Sequence, residues 1–307
     1  MEFAESVAAG LATRPRRLDY RFLYDARGSE LFERITELPE YYPTRTEASI
    51  LERCARQVRE TTGPVTLLEL GSGSSVKTNH LLAAYLDRDD EQFYVPVDVS
   101  ESALKQATND LDDRHDGVRV VSVHGTYDMA TRLFECASPM MAVFLGSSIG
   151  NFRADEERSF LKRVAESMAR GDWFLLGVDL VKDKRIIDAA YNDASGITEE
   201  FIKNLFVRMN RELGTALDVS AIRHEARYVA ERERVEVHTR FTEPQIVDIQ
   251  PLGRRFRIWK DERVLVEISR KYSVDRLRPY LASLGFKTRR VFTDERDWFA
   301  VLLLQRA

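Results

Sequence analysis

From residue 60 onward, short continuous apolar runs alternate with stretches whose apolar positions recur every three or four residues. The runs at 65–70, 93–97, 118–123, 141–145 and 173–180 predict strands, and segments 76–86, 101–111 and 154–169 predict the helices between them. That alternation predicts a parallel sheet covered by helices. Near the end, a helix should start at Val274, with Ser273 as its cap and Gly285 as its stop. Two further runs, 287–293 and 298–305, flank the polar turn TDERD and predict an antiparallel hairpin.

Residues 181–272 separate the fifth predicted strand from that last helix, far more than the 2–6 residues usual for a loop in an α/β unit, so they must carry structure of their own. The stretch begins helically, with Thr198 placed to cap a helix that carries Glu199 and Glu200 in its first turn and ends at Gly214. The period then becomes two. In RVEVHTRF (234–241), Val235, Val237, Thr239 and Phe241 share a face, and FRIW (256–259) with RVLVEIS (263–269) reads as a hairpin around the turn KDE. The first 45 residues form a helical, aromatic-rich lead-in whose expected partner is this inserted region.

Composition narrows the function. The formal net charge of −4 is small and of the wrong sign for gripping phosphate backbones, so no nucleic-acid partner is expected; RRFRIWK (254–260) reads as a solvated strand edge. No apolar run approaches the roughly 18 residues needed to span a bilayer, and MEFAESVAAGLATRPRR lacks a signal-peptide core, so a cytoplasmic protein without a membrane partner is expected. Cys54 and Cys136 and the scattered histidines offer no metal-ligand spacing, so reduced thiols and no metal are expected.

The candidate chemistry sits where strands should end. LLELGSGSSVKT (67–78) puts a glycine-rich turn between a strand and a helix, where a ligand can approach backbone amides; a plain turn is the alternative. Ser75 and Val76 stand where a dinucleotide fingerprint would continue toward its third glycine, which disfavours a pyrophosphate. Asp98, at the tip of the second strand, suits a ribose diol. Gly71, Gly73 and Asp98 together therefore favour an adenosyl ligand without phosphates, S-adenosylmethionine. FLGSSIGNF leaves room beside Gly146, Ser147, Ser148 and Gly150, and Asn151 there either caps the next helix or meets a ligand. The order of five strands followed by a closing antiparallel pair resembles the class I methyltransferase architecture: a Rossmann-like, seven-stranded α/β domain, here with an inserted α+β substrate domain. The expected boundaries are 46–181 with 272–307 for the donor domain and 1–45 with 182–271 for the substrate domain.

Several segments carry a closer resemblance: YDARGSELFERITELPEYYPTRTE (24–47), VDVSESAL (97–104), LLGVDLVKD (175–183), AYNDASGITEEFIKNLFVRMNRELG (190–214), RHEARY (223–228) and VEISRKYS (266–273). Over almost the whole chain the sequence resembles the S-adenosylmethionine-dependent histidine Nα-methyltransferases of ergothioneine biosynthesis. The resemblance implies three successive methyl transfers to the α-amino nitrogen of histidine, giving hercynine. It implies cofactor contacts from Tyr41, Gly71, Ser72, Gly73, Lys77, Asp98, Val99, Thr126, Tyr127 and Gly146. Asn151 and Tyr191 would hold the amino acid's carboxylate, and Tyr41, Glu267 and Ser269 its imidazole. Tyr24 and the loop Gly146–Ser148 would surround the amine, with Tyr24 and Asn151 as the catalytic pair. A monomer acting on a free amino acid is expected.

Two departures bear on specificity. Val237 stands where the resembling motif usually has methionine, which enlarges one pocket wall and keeps another amino acid, such as tryptophan, as the alternative substrate. At the adenine, HGTYD (124–128) has Thr126 and Tyr127 in place of an acid and an aromatic. Glu267 has its own plain alternative, an exposed strand carboxylate paired with Arg263 or Arg270. A cofactor-binding homologue without turnover is the remaining reading.

Overall fold

The computed structural model describes residues 1–73, 75–112 and 115–307; Ser74, inside the glycine-rich segment, lies outside the described residues. The chain divides into two compact units, Met1–Tyr42 with Asp183–Ser269 and Pro43–Lys182 with Arg270–Ala307.

The larger unit is built on β1 (Thr66–Leu70), β2 (Gln92–Asp98), β3 (Val118–Val120), β4 (Val123–His124), β5 (Met140–Phe144) and β6 (Trp173–Asp179). Strands β7 to β11 belong mainly to the smaller unit, and β12 (Phe286–Thr293) and β13 (Phe299–Arg306) return to the large sheet. The sheet order is β12-β13-β6-β5-β1-β2-β3, with β4 paired to β2. Pairs among β1, β2, β3, β5 and β6 are parallel, while β13 runs antiparallel to β6 and β12. This is the class I methyltransferase order. Central strands read as unbroken apolar runs because helices cover both faces, and β5 and β6 are buried at every position. The expected strand at 118–123 is present as two short stretches, β3 and β4, that pair with β2 in one register, Tyr94 opposite Val120 and Val97 opposite Val123.

Helix Val274–Ser283 follows Ser273, as expected, but the Ser273 side chain makes no capping bond. The chain departs after Leu180 and re-enters at Tyr272, and these two residues form a parallel bridge. Beside it, the buried Asp179 carboxylate takes ion pairs from Lys182 and, at 2.8 Å, from Lys271. Burial pulls the Lys182 ammonium down to about 8 against the attraction of Asp179.

The smaller unit joins the N-terminal helices Glu2–Ala12 and Ala26–Thr36 to helix Ile197–Leu213 and two small sheets. Strands β7 (Ile222–Val229), β8 (Arg234–Phe241) and β11 (Arg263–Arg270) form one, in the order β11-β8-β7. Strands β9 (Gln245–Ile249) and β10 (Arg254–Ile258) form the other. The expected hairpin between 256–259 and 263–269 is therefore wrong: β10 pairs backward with β9 across the short Gln250–Leu252 turn and Gly253, and β11 pairs with β8. Thr198 is not the helix cap either. Gly196 holds that position in a left-handed conformation, and the Asp193 carboxylate accepts the amides of Ile197 and Thr198, both at 2.9 Å. Gly214 does end the helix, at φ +67°.

Candidate functional site

The expected cofactor residues other than Tyr41, which belongs to the smaller unit, lie at the carboxyl edge of the large sheet, after β1, β2, β4 and β5. Gly71 turns the chain at φ +72°, and a Cβ placed there would lie 3.0 Å from the Tyr127 hydroxyl, so the position demands glycine twice over. Gly73 follows at φ +51° with open space where a Cβ would be. The Asp98 carboxylate accepts the Gly73 amide at 2.9 Å with one oxygen and the Ser100 amide at 2.8 Å with the other, so it fixes the loop on which a ligand would rest. Ser100 Oγ in turn caps the following helix through the Ala103 amide at 3.3 Å.

Val99 is 41% exposed, an apolar surface beside Asp98. Thr126 is exposed at the N-cap of helix Tyr127–Thr131. Tyr127 meets Phe144 edge-on at 5.2 Å and Phe152 at 6.0 Å, while its hydroxyl faces Gly71. Asp128, the next residue, pairs with Arg163 at 3.1 Å on the surface. The Ser72 hydroxyl is buried with no partner among the described residues, an orphaned donor inside this loop. A ligand rich in hydroxyl and amino groups fits such a lining.

Beneath the loop lies a buried polar network. Glu69, on β1, accepts hydrogen bonds from Tyr94 and, at 2.7 Å, from Thr78. Tyr94 also meets Ser75 Oγ at 2.8 Å, which ties down a residue held at φ +54°. Burial pushes the Glu69 carboxyl up to about 7 in spite of these bonds and of Lys77.

Across the sheet edge, Gly146 stands at φ +73° and Ser147 at φ +56°. Ser147 Oγ accepts the Asp179 amide at 2.9 Å, which anchors its left-handed backbone to the end of β6. Ser148 Oγ turns inward to Leu145 O at 3.0 Å. Asn151 ends the short turn Ser148–Asn151 and is half-buried. It does not cap the next helix, since Arg153 does, its amide donating to Glu156 at 3.0 Å. One residue here escaped the sequence reading. Glu47, the last of YYPTRTE, is fully buried on helix Tyr42–Thr62 and binds both Lys77 and the Gly146 amide. A helical glutamate ordinarily reads as solvated, and only the motif around it marked it out.

In the smaller unit, four of the expected amino-acid residues, Tyr24, Tyr41, Tyr191 and Ser269, form a connected set. The buried Tyr191 hydroxyl donates to Ser269 Oγ at 2.8 Å. Tyr191 meets Tyr41 at 6.4 Å; Tyr41 meets Phe32 at 6.2 Å, and Phe32 meets Tyr24 at 5.5 Å, all edge-on. Phe201 closes the group against Tyr24 and Phe32. Phe32 and Phe201 were not singled out from the sequence, because a phenylalanine on an amphipathic helix reads as core. His224 donates from Nε2 to the Tyr191 carbonyl at 2.8 Å, and burial lowers its pKa. Glu267 is half-buried on β11, two residues from Ser269. Nearby, Arg263 pairs with Glu225 at 2.8 Å, and Arg270 with Glu157. Val237 is fully buried on β8, in register with Ala226.

No group of three or more metal-ligating side chains occurs among the described residues, and Cys54 is a buried thiol pushed up to about 12. The sheet order and the loop at its carboxyl edge define a methyltransferase of class I type.

The family is more specific. The chain belongs to the S-adenosylmethionine-dependent, histidine-specific methyltransferases, whose family model matches residues 3–306. It is 36% identical over 300 residues to a histidine N-alpha-methyltransferase of Mycolicibacterium smegmatis, covering 98% of this chain and 94% of that one. The Mycobacterium tuberculosis enzyme of the same name is 37% identical, with 97% and 92% covered. An "Ergothioneine biosynthesis protein 1" of Neurospora crassa is 32% identical over 89% of this chain and 31% of its own length.

Proposed function

We propose that the protein transfers three methyl groups in succession from S-adenosylmethionine to the α-amino nitrogen of L-histidine, giving hercynine in the first step of ergothioneine biosynthesis. The observation that carries this reading is the end-to-end likeness to a histidine N-alpha-methyltransferase, 98% of this chain against 94% of that one.

The work divides between the units. In the larger one, Asp98 and the amides it orders would hold the ribose, Val99 and Tyr127 would flank the base, Thr126 and the orphaned Ser72 hydroxyl would add polar contacts, and Lys77 would take the carboxylate of the donor. When bound, the donor supplies a methyl group already activated by its sulfonium. The protein's task is therefore to present a neutral amine in line, within about 3–3.5 Å, and no strong base is needed. An α-amino group titrates near 8, so a neutral fraction is available, and each transfer must be followed by loss of a proton before the next. Asn151 and Tyr191 would hold the substrate carboxylate, and Glu267 with Ser269 its imidazole, while Tyr24 and the Gly146–Ser148 loop would surround the amine. The aromatic group around Tyr24 suits a methylated ammonium, with about 0.5–2 kcal/mol from cation–π attraction.

We further propose a monomer in the cytoplasm that acts on a free amino acid, without nucleic acid or membrane; among the described residues no helix is long and apolar enough to cross a membrane. Incubation with S-adenosylmethionine and histidine should give a mass gain of three methyl groups. Absence of any methylated histidine, under conditions where the donor binds, rejects the assignment.

A further inference from the structure

We propose that Glu47 is a positioning residue for the methyl donor: its carboxylate holds the Lys77 ammonium and the Gly146 amide in one arrangement before the donor arrives. The inference rests on the reading of Lys77 and Gly146 as donor contacts, and it assigns a role to a residue outside that set.

The geometry is unusual for a glutamate. Its side chain is wholly inaccessible, and an ionised carboxylate in that setting is tolerated only when hydrogen bonds and an opposite charge replace its water. Both replacements come from loops that line the carboxyl edge of the sheet. Gly146, after β5, gives its amide to the two oxygens at 2.8 and 3.0 Å. Lys77, after β1, gives its ammonium to Oε2. A carboxylate that served only to pack its helix would have no reason to bond two separate loops.

The sheet also makes room for it. A Cβ on Gly177, in the middle of buried β6, would lie 1.9 Å from Glu47 Oε1. Glycine inside a central strand gives up side-chain packing and backbone entropy, and here it admits the carboxylate. The ammonium of Lys77 lies 3.5 Å from the site of a Cβ on Gly146, so the two loops meet at this charge.

The consequence concerns Lys77. A lysine on a flexible four-carbon stem is a poor fixed contact, since its rotamers must be frozen when a ligand binds. Glu47 freezes one of them in advance, and an ammonium with three hydrogens can satisfy Glu47 and still donate to a ligand carboxylate. The side chain of Lys77 is 20% exposed, so the ammonium group has one buried and one accessible aspect.

The test is calorimetric titration with S-adenosylmethionine and S-adenosylhomocysteine on wild type, E47Q, E47D, K77M and E47Q/K77M, with thermal melting of each. Both ligands carry the amino-acid carboxylate, and only the first carries the sulfonium charge. E47Q should weaken both ligands alike, by roughly tenfold or more, with E47D intermediate and the KM for histidine within about threefold of wild type. E47Q/K77M should bind no worse than K77M, because the glutamine carbonyl can still accept the Gly146 amide and the charge of Glu47 acts through Lys77, and it should melt higher than K77M, which leaves a buried carboxylate without its counter-charge. A loss confined to S-adenosylmethionine would instead make Glu47 a counter-ion of the sulfonium and overturn the proposal. Unchanged affinity in E47Q, whatever its melting temperature, or fully additive losses in the double variant, would overturn it as well. Wild-type affinity in K77M would refute it at its premise, and is distinguishable from the other failures because it removes Lys77 from the donor contacts.

Discussion

Substituting Asp98 by asparagine separates the loop bracing its carboxylate performs from the ribose contact proposed for it. Its oxygens accept the Gly73 amide at 2.9 Å and the Ser100 amide at 2.8 Å. An asparagine can accept one of these, but its NH2 group must then face the other, leaving a donor unmatched at a cost of about 1–3 kcal/mol in folding stability. With the proposed ribose contact, the diol would lose its charged acceptor in addition. A hydrogen bond to a charged group is worth about 1.5–3 kcal/mol, which corresponds to about a 10- to 150-fold rise in the Kd for S-adenosylmethionine. S-adenosylhomocysteine, with the same ribose, should weaken equally, and the KM for histidine at saturating donor should stay within about threefold. Calorimetry and thermal melting read the two effects independently. D98N binding the donor within about threefold of wild type, with only a lowered melting temperature, would show that Asp98 merely braces the loop and would refute the ribose assignment.

The remaining predictions concern three other groups. Y191F removes the donor at 2.8 Å from the buried Ser269 Oγ, so it should cost about 1–3 kcal/mol of stability and raise the KM for histidine about tenfold without changing donor affinity; in Y191F/S269A the stability loss should be smaller than the sum of the single losses, since no partner is left stranded. Glu69, raised from 4.5 to about 7 by burial, stabilises the fold fully below pH 4.5 and loses that contribution as pH rises through 7. Lys77 opposes this rise, while Glu47 adds to it. The stability difference between wild type and E69Q should accordingly fall with pH over that interval, and a flat difference in denaturant titrations would contradict the buried network. In a competition of histidine, tryptophan and tyrosine, histidine should win by orders of magnitude, because an indole in the ring position proposed beside Glu267 would leave the carboxylate poorly satisfied; parity with tryptophan would refute that placement.

The large sheet was legible because its strands are buried on both faces and so appear as unbroken apolar runs such as MMAVF and WFLLGVD. The glycine turn, Asp98 and the small-residue loop were legible for a related reason: special backbone conformations need particular residues. The smaller unit was harder. FRIW and RVLVEIS are good strands around a good turn, yet strand pairing is decided by burial against distant partners, and β10 took the less strand-like QIVDI as its neighbour. Thr198 had the right chemistry for a cap, but Asp193 reaches back across the preceding turn and takes its amides. Glu47 was illegible because its worth depends on Gly177, 130 positions away. Nothing in the local pattern distinguishes it from the solvated Glu52.

The bridge between Leu180 and Tyr272 makes departure and return a single doorway in the sheet. An excursion that begins and finishes at touching backbone positions places no topological demand on the strands it interrupts, so its length and content are free to drift. Insertions or deletions within that excursion should therefore leave the strand order of the large sheet unchanged.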